Sequence, residues 1–182
     1  MSRETCIPCL LRLLRQYGYD GATLAKISEA TGLGKASLYH HFPGGKDEMV
    51  EAVLDYLERW LNQNILQVLN GPGEPLSRLQ QMCDRLNQVY EGGHQPCLFA
   101  ILLLGSARDV FHQRVNALFR SWIDAIAAVL IEAGLEENLA QQQGEDGVIA
   151  IQGALILAQG LHDPSPFQRI IQQLPAKLCQ NL

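Results

Sequence analysis

Long apolar runs are missing from this sequence, and so are the familiar signatures of chemistry. Its most apolar stretch, Leu98 to Leu104, is far shorter than the roughly 20 residues that cross a bilayer, and the N-terminus carries no signal-peptide pattern, so a cytoplasmic protein without a membrane partner is expected. No phosphate loop, dinucleotide fingerprint, His-Glu-x-x-His pattern or Ser-His-acid order occurs. No nucleophile, cofactor or metal is therefore nominated, and an enzyme is the weakest functional class. The five cysteines, Cys6, Cys9, Cys83, Cys97 and Cys179, are scattered and odd in number, against a disulfide framework. Cys6-Ile-Pro-Cys9 has no second pair and no strand-helix context, and reads as two ordinary helix residues. Repeats and low-complexity tracts are absent. Charge is sparse, 18% of residues against 47% hydrophobic, which is the balance of a globular chain. A net charge of -5 argues against a generally basic nucleic-acid binder, but the charge is uneven. Up to Lys46 there are six Lys/Arg and three acids, a local +3, which leaves -8 for the rest. That is a cationic head on an acidic body.

The head contains the stretch around which the chain is organised, Thr23 to Phe42. Thr23 is a good N-cap for a first helix with Leu24, Ile27 and Ala30 on one face. Gly32-Leu33-Gly34 breaks it: Gly32 suits the left-handed position after a helix, Leu33 can drop into the core, and Gly34 lets a second helix begin at Lys35. Pro43 and Gly44-Gly45 stop that second helix at about His41 or Phe42. Helix, glycine turn and helix make the unit that lays its second helix in the DNA major groove. Lys35, Ser37, Tyr39, His40 and His41 offer groups to base edges and phosphates, while Leu38 and Phe42 anchor inward. Lys26 sits in the first turn of its helix, where the macrodipole disfavours a cation, and a phosphate would rationalise it. Lys46 opens the next helix beside free backbone amides, again a place for phosphate.

Gly18-Tyr19, Thr23, Ile27, Gly32-Leu33, Leu38-Tyr39-His40-His41-Phe42 and Lys46 together resemble the DNA-binding domain of the TetR family of bacterial transcriptional regulators. The Phe-Pro-Gly-Gly-Lys turn resembles its LmrA/YxaF-type branch. The resemblance implies an all-α homodimer, with a three-helix DNA-binding domain over 1-46 and a helical ligand-binding and dimerisation domain over 47-182. It implies double-stranded DNA with an inverted-repeat operator as partner, and a small-molecule effector. Thr23, Lys26, Lys35, Ala36, Ser37, Tyr39, His40, His41 and Lys46 are the candidate DNA contacts.

Down the rest of the chain, Leu10, Leu11, Leu13, Leu14 and Tyr17 mark a first helix starting near Thr5, with Pro8 in its early turns. Asp47 to Leu69 reads as one long amphipathic helix, followed by a Gly-Pro-Gly break. Further helices are expected over Leu76-Tyr90, over Cys97-Ser106 (short and buried) and over Val110-Ala133. Two more are expected over Asn138-Leu161 and from Pro166 to Leu174, with Pro175 ending or kinking the last. Trp60, Phe99, Leu103, Phe119 and Trp122 are candidate walls of an apolar pocket, and Tyr90, His112 and Gln152 its polar groups. Ile149, Gly153, Ile156, Leu157 and Gly160 form one stripe with small residues, and Phe167, Ile170, Ile171 and Leu174 a second. From two copies these would build a four-helix dimer interface, and the same stripes could instead pack within one chain. The reading is a dimeric, ligand-released repressor. Its alternatives are a DNA-binding activator and an interaction protein without an inducer.

Overall fold

The computed structural model describes residues 3-180, which contain helices and turns and, among those described residues, no strand. The order is α1 (Arg3–Gly21), α2 (Leu24–Thr31), α3 (Lys35–His41), α4 (Gly45–Leu61), a π turn (Asn62–Leu66), α5 (Gln67–Leu69), α6 (Pro75–Val89), a 3-10 turn (Glu91–Gly93), α7 (Leu98–Leu102), α8 (Ala107–Glu132), α9 (Glu137–Leu161) and α10 (Ser165–Leu178). No described helix is long and apolar enough to cross a membrane.

Three elements depart from the sequence reading. The helix expected over Asp47 to Leu69 is α4, a π turn and α5 in succession. From Leu57 onward its buried residues are Leu57, Leu61, Ile65 and Leu69. A spacing of four overshoots the α-helical period of 3.6, and the wider π turn brings the later residues back toward the buried side. The apolar run after Pro96 yields only five helical residues, and Leu104 is 70% exposed. Pro175 does not end α10, which continues to Leu178. Proline there removes only the bond to the Ile171 carbonyl one turn before the helix stops, while Pro175 and Leu178 are both buried.

By packing, the chain forms two compact units. One comprises the chain up to Trp60 with Leu98–Val115; the other comprises Leu61–Cys97 and the chain from Asn116 onward. In the first, α1 packs on α2 and α7. Leu10, Leu14, Ile27, Leu38, Phe42, Met49, Val53 and Phe111 are buried there. Each such side chain contributes roughly 1.5-3 kcal/mol by leaving water. Arg114 on α8 reaches three carboxylates of α4, those of Glu51, Asp55 and Glu58, the last at 2.8 Å. Burial alone would lower the Arg114 pKa; its hydrogen bonds to the three acids more than reverse this, and the net shift is upward.

In the second unit α10 packs on α9 and α6. Trp122 donates its indole N–H to Met82 Sδ at 3.4 Å, and Tyr90 meets Phe167 edge-on with centroids 5.9 Å apart. Arg78, 3% exposed, donates to the carbonyls of Leu69 at 2.9 Å and Gly71 at 3.2 Å and to Glu132 at 2.6 Å, closing the end of α5. Gly93 has φ +104°, and a Cβ there would stand 3.0 Å from the Phe167 Cβ. Gly93→Ala is therefore expected to cost about 1-3 kcal/mol from backbone strain alone, with crowding of Phe167 added, read as a fall in thermal midpoint.

Candidate nucleic-acid interface

The turn between α2 and α3 is held by more than glycine. Gly32 has φ +69° and caps α2, as its place in the sequence requires. Ser28 Oγ donates to the Leu33 carbonyl at 2.5 Å, Thr31 Oγ donates to the Ile27 carbonyl at 2.7 Å, and Leu33 N–H donates to Thr31 Oγ at 3.3 Å. Thr23 Oγ accepts from the Lys26 amide at 3.3 Å, the N-cap bond expected of it. Gly34, by contrast, has an ordinary φ of -66° and open space around a Cβ, so no glycine is demanded there.

On α3 the residues divide sharply by exposure. Leu38 and Phe42 are 1% and 0% exposed, whereas Lys35, Ala36, Ser37, Tyr39 and His40 are exposed and His41 is intermediate. The seven-residue helix thus presents an exposed, largely polar surface that carries hydrogen-bond donors and acceptors. Thr23 is exposed beside it in sequence.

The two lysines expected to meet phosphate have partners within the chain. Lys26 Nζ donates to the Gly21 carbonyl at 3.3 Å and lies 3.6 Å from the Tyr17 ring centroid. Lys46 Nζ donates to the Tyr19 carbonyl at 3.0 Å and lies 4.0 Å from the Tyr19 ring centroid. Both ammonium groups therefore sit at the C-terminal end of α1, the negative end of its dipole. No phosphate is needed to explain a cation in the first turn of α2.

Sequence reasoning named no partner for four residues here. Arg3 donates to Glu48 Oε1 at 2.6 Å and to the His41 carbonyl at 3.4 Å, with its guanidinium 4.9 Å from the Phe42 ring centroid. It ties α1 to the end of α3. Tyr19 donates to Asp47, and Asp20 accepts from the Ser106 hydroxyl and, at 3.3 Å, from its amide. Burial, then the Asp47 bond, pushes the Tyr19 phenol up to about 12. Glu48 Oε2 accepts from the Gly44 amide at 2.7 Å, capping the start of α4. The common signal was a charged or hydroxyl residue near a helix end, but no local pattern names a partner dozens of residues away.

The candidate pocket residues differ in setting. Within the first unit Phe99 is buried, Trp60 and Leu103 are intermediate, and His112 is exposed. His112 cannot be an interior polar group: it follows buried Phe111 by one residue, about 100° around α8, and lies in a surface depression with Arg108, Asp109, Val110 and Gln113. Within the second unit Tyr90 and Trp122 are core residues, while Phe119 and Gln152 are intermediate. A polar cleft of about 360 Å³ between α6 and α10, with Asp84, Asn87, Gln168 and Gln172 on its walls, was not foreseen. Cys6 is buried, and burial followed by Cys9 pushes its thiol up, away from the thiolate a reactive or metal-binding cysteine needs.

The candidate interface residues separate as well. On α9, Ile149, Ile156 and Leu157 are 65%, 65% and 54% exposed, and the open sides of Gly153 and Gly160 have nothing within 4 Å of a Cβ. On α10, Ile170 is intermediate, but Phe167 and Ile171 are buried in the unit's own core and have no surface to offer a second copy. Within the chain the close helix approach on α9 is at Gly144, whose Cβ would stand 2.8 Å from the Ile123 carbonyl of α8.

Comparison with known proteins agrees with this geometry. A model of the C-terminal domain of LmrA/YxaF-like transcriptional regulators matches residues 75-173, and a model of bacterial regulatory proteins of the tetR family matches residues 10-53. The HTH-type transcriptional regulator YxaF of Bacillus subtilis is 26% identical over 178 residues, 96% of this chain and 93% of the relative. LmrA of the same organism is 24% identical over 180 residues, 96% of this chain and 95% of the relative. The crystal structure of a TetR transcriptional regulator from Legionella pneumophila superposes with a TM-score of 0.83 at 17% identity, covering 100% of this chain and 97% of that one, a likeness of fold.

The contacts around α3 carry a pH dependence. Asp20 is held below its ordinary 3.8, first by the Ser106 hydroxyl and then by its amide, and Glu48 below its ordinary 4.5, first by the Gly44 amide. A depressed carboxyl stabilises the fold fully above its unfolded pKa and loses that contribution as pH falls through its folded one. Glu48→Gln should thus have a lower thermal midpoint at neutral pH but a shallower decline as pH falls from neutral through and below the ordinary glutamate value of 4.5. Scanning calorimetry across that window reads the difference.

Proposed function

Since the chain belongs to the TetR family of bacterial regulatory proteins, in its LmrA/YxaF-like branch, and is a DNA-binding transcriptional regulator rather than an enzyme, we propose that it is a dimeric repressor released by a small apolar ligand. The observation that carries the reading is the polar, exposed face of α3 on a helix pinned from behind by Leu38 and Phe42. In it, residues 1-46 are the DNA-binding head and 47-182 the effector and dimerisation segment, working in the cytoplasm where the DNA is. Lys35 and Ser37, at the start of α3, reach base edges; Thr23 and Tyr39 hold phosphates. Lys26 and Lys46 contribute to the positive field from fixed positions rather than as free arms.

Dimerisation is supported by the α9 stripe. Ile149, Ile156, Leu157 and Leu161 are all more than half exposed on one helix, with Gly153 and Gly160 between them, and a contiguous apolar patch of this kind marks an interaction site. An isologous pairing makes the same stripe serve both copies. Two recognition helices on one face of DNA then call for half-sites about 34-36 Å apart in an inverted repeat. The effector acts only through a difference in affinity between DNA-competent and DNA-incompetent arrangements.

Selection of bound sites from random duplexes tests the reading directly, and an absence of sequence preference overturns it. Against the selected site, Lys35→Ala is expected to cost roughly 1-3 kcal/mol and to relax preference at one position, measured by fluorescence anisotropy. Placing a charge in the stripe, as Ile156→Glu or Gly153→Glu, should give monomers in ultracentrifugation and abolish operator binding. A variant that stays dimeric removes this face from consideration.

A further inference from the structure

The polar flank of α9 has a regular spacing, Glu145, Gln152 and Gln159, seven residues apart and therefore on one side of the helix. The outer two are engaged within the second unit. Glu145 faces Arg120 at 3.6 Å, and Gln159 donates its amide to the Gly93 carbonyl at 2.8 Å. Gln152, between them, is different. Both its Nε2 and its Oε1 are sealed from solvent, and neither has a hydrogen-bond partner. Among the described residues no other side chain leaves both ends of an amide in that state; Gln143 leaves its oxygen only.

A dry carboxamide with both ends unpaired is a penalty carried by this conformation, since each group gave up water and gained nothing. Leucine or methionine would fill such a position without that penalty. Lacking accessible surface, the two atoms have no water to turn to in this conformation, and a ligand would reach them by parting the surrounding side chains. Its chemistry follows from the pair of atoms. An anion would satisfy Nε2 and repel Oε1, and a cation would do the reverse. A neutral donor set beside a neutral acceptor meets both at once, as in a cis amide, whose N–H donates to Oε1 while its carbonyl accepts from Nε2 in a closed two-bond ring.

We propose that Gln152 is the specificity-determining contact of the effector site, and that the effector is a neutral, mainly apolar molecule carrying a cis amide, such as a lactam or cyclic imide. This rests on the reading of the protein as a ligand-released repressor.

The probe is 3,4-dihydroquinolin-2-one, an apolar bicycle with a cis lactam, compared with its N-methyl derivative, which lacks the donor. Calorimetric titration of the wild-type protein should give binding at least about tenfold tighter for the lactam than for the N-methyl compound. In Gln152→Leu, and in Gln152→Met as a second apolar variant, that preference should vanish while the thermal midpoint of the free protein rises by roughly 4 °C or more. Equal affinity for the two compounds, no binding of either, a preference that survives both substitutions, or a fall in midpoint in both variants overturns the proposal. Operator binding separates it from the reading on which it rests. A lactam that binds through Gln152 but leaves operator affinity unchanged defeats the repressor switch and not the site. A compound that releases operator equally from wild type and Gln152→Leu upholds the switch and defeats the site.

Discussion

The C-terminal end of α1 is the fixed point of the DNA-binding head. The helix is broken at Gly18, where φ is +66°, so its last carbonyls need partners from elsewhere. Lys26 of α2 and Lys46 of α4 supply them, at Gly21 and Tyr19, each ammonium also lying over a tyrosine ring of α1. Two cations that would be unfavourable at the starts of their own helices become favourable at the end of a third. This matters because α3 cannot orient itself. Seven residues with a single fully buried side chain are well short of the roughly 12-15 at which an isolated helix is even marginal. Its direction is inherited from α2, through the Ser28 and Thr31 bonds of the turn, and from α1, through Arg3 at the His41 carbonyl. Fixing α2 and α4 to one helix end fixes α3 between them.

What could be read from the sequence follows from how local each signal is. Thr23, Gly32 and the Leu38–Phe42 pair declare themselves within a turn of the helix they serve, and α2, the turn and α3 form where they were expected. His162 at the end of α9 adopts φ +52°, a left-handed cap. Long-range pairing was not legible. Nothing near Arg78 announces that this arginine would be 3% exposed, because its partners are two carbonyls and a carboxylate from other elements. The π turn was hidden for a different reason: apolar residues every fourth position suit a slightly wound helix as well as a locally widened one. Phe167 and Ile171 carry the same 3.6 period whether they face a second copy or their own core, and only packing against Tyr90 and α6 decides it.

The two faces of α9 put opposite demands on the chain. Its inner side is close-packed, with Gly144 letting α8 approach and Val148, Ile151, Leu155 and Ala158 buried. Its outer side leaves the large aliphatic residues Ile149, Ile156, Leu157 and Leu161 in water, a cost that the proposed association would remove. A repressor dimer built on that stripe would have folding and assembly linked, so stability would rise with protein concentration. The acidic body has a charge consistent with that reading: a net -8 outside the head disfavours phosphate contact by the rest of the chain.

A switch needs both a difference in ligand affinity and a rigid part to move. Taking a two-state population from 1:99 to 99:1 requires about 5.5 kcal/mol of differential binding. Much of that can come from relief of a penalty already present, and an amide with two unpaired ends is such a penalty, on the order of 1-3 kcal/mol for each end. The rigid part lies in the first unit. Glu51, Asp55 and Glu58 follow one side of α4 at intervals of four and three, and a single guanidinium, that of Arg114, gathers all three. Pulling α4 away from the start of α8 would part a partly buried cation from three half-exposed carboxylates at once, a larger loss than parting one exposed pair. Arg114 thus ties these turns of α4 to the start of α8, and in a ligand-released repressor a shift of the one would carry the other with it.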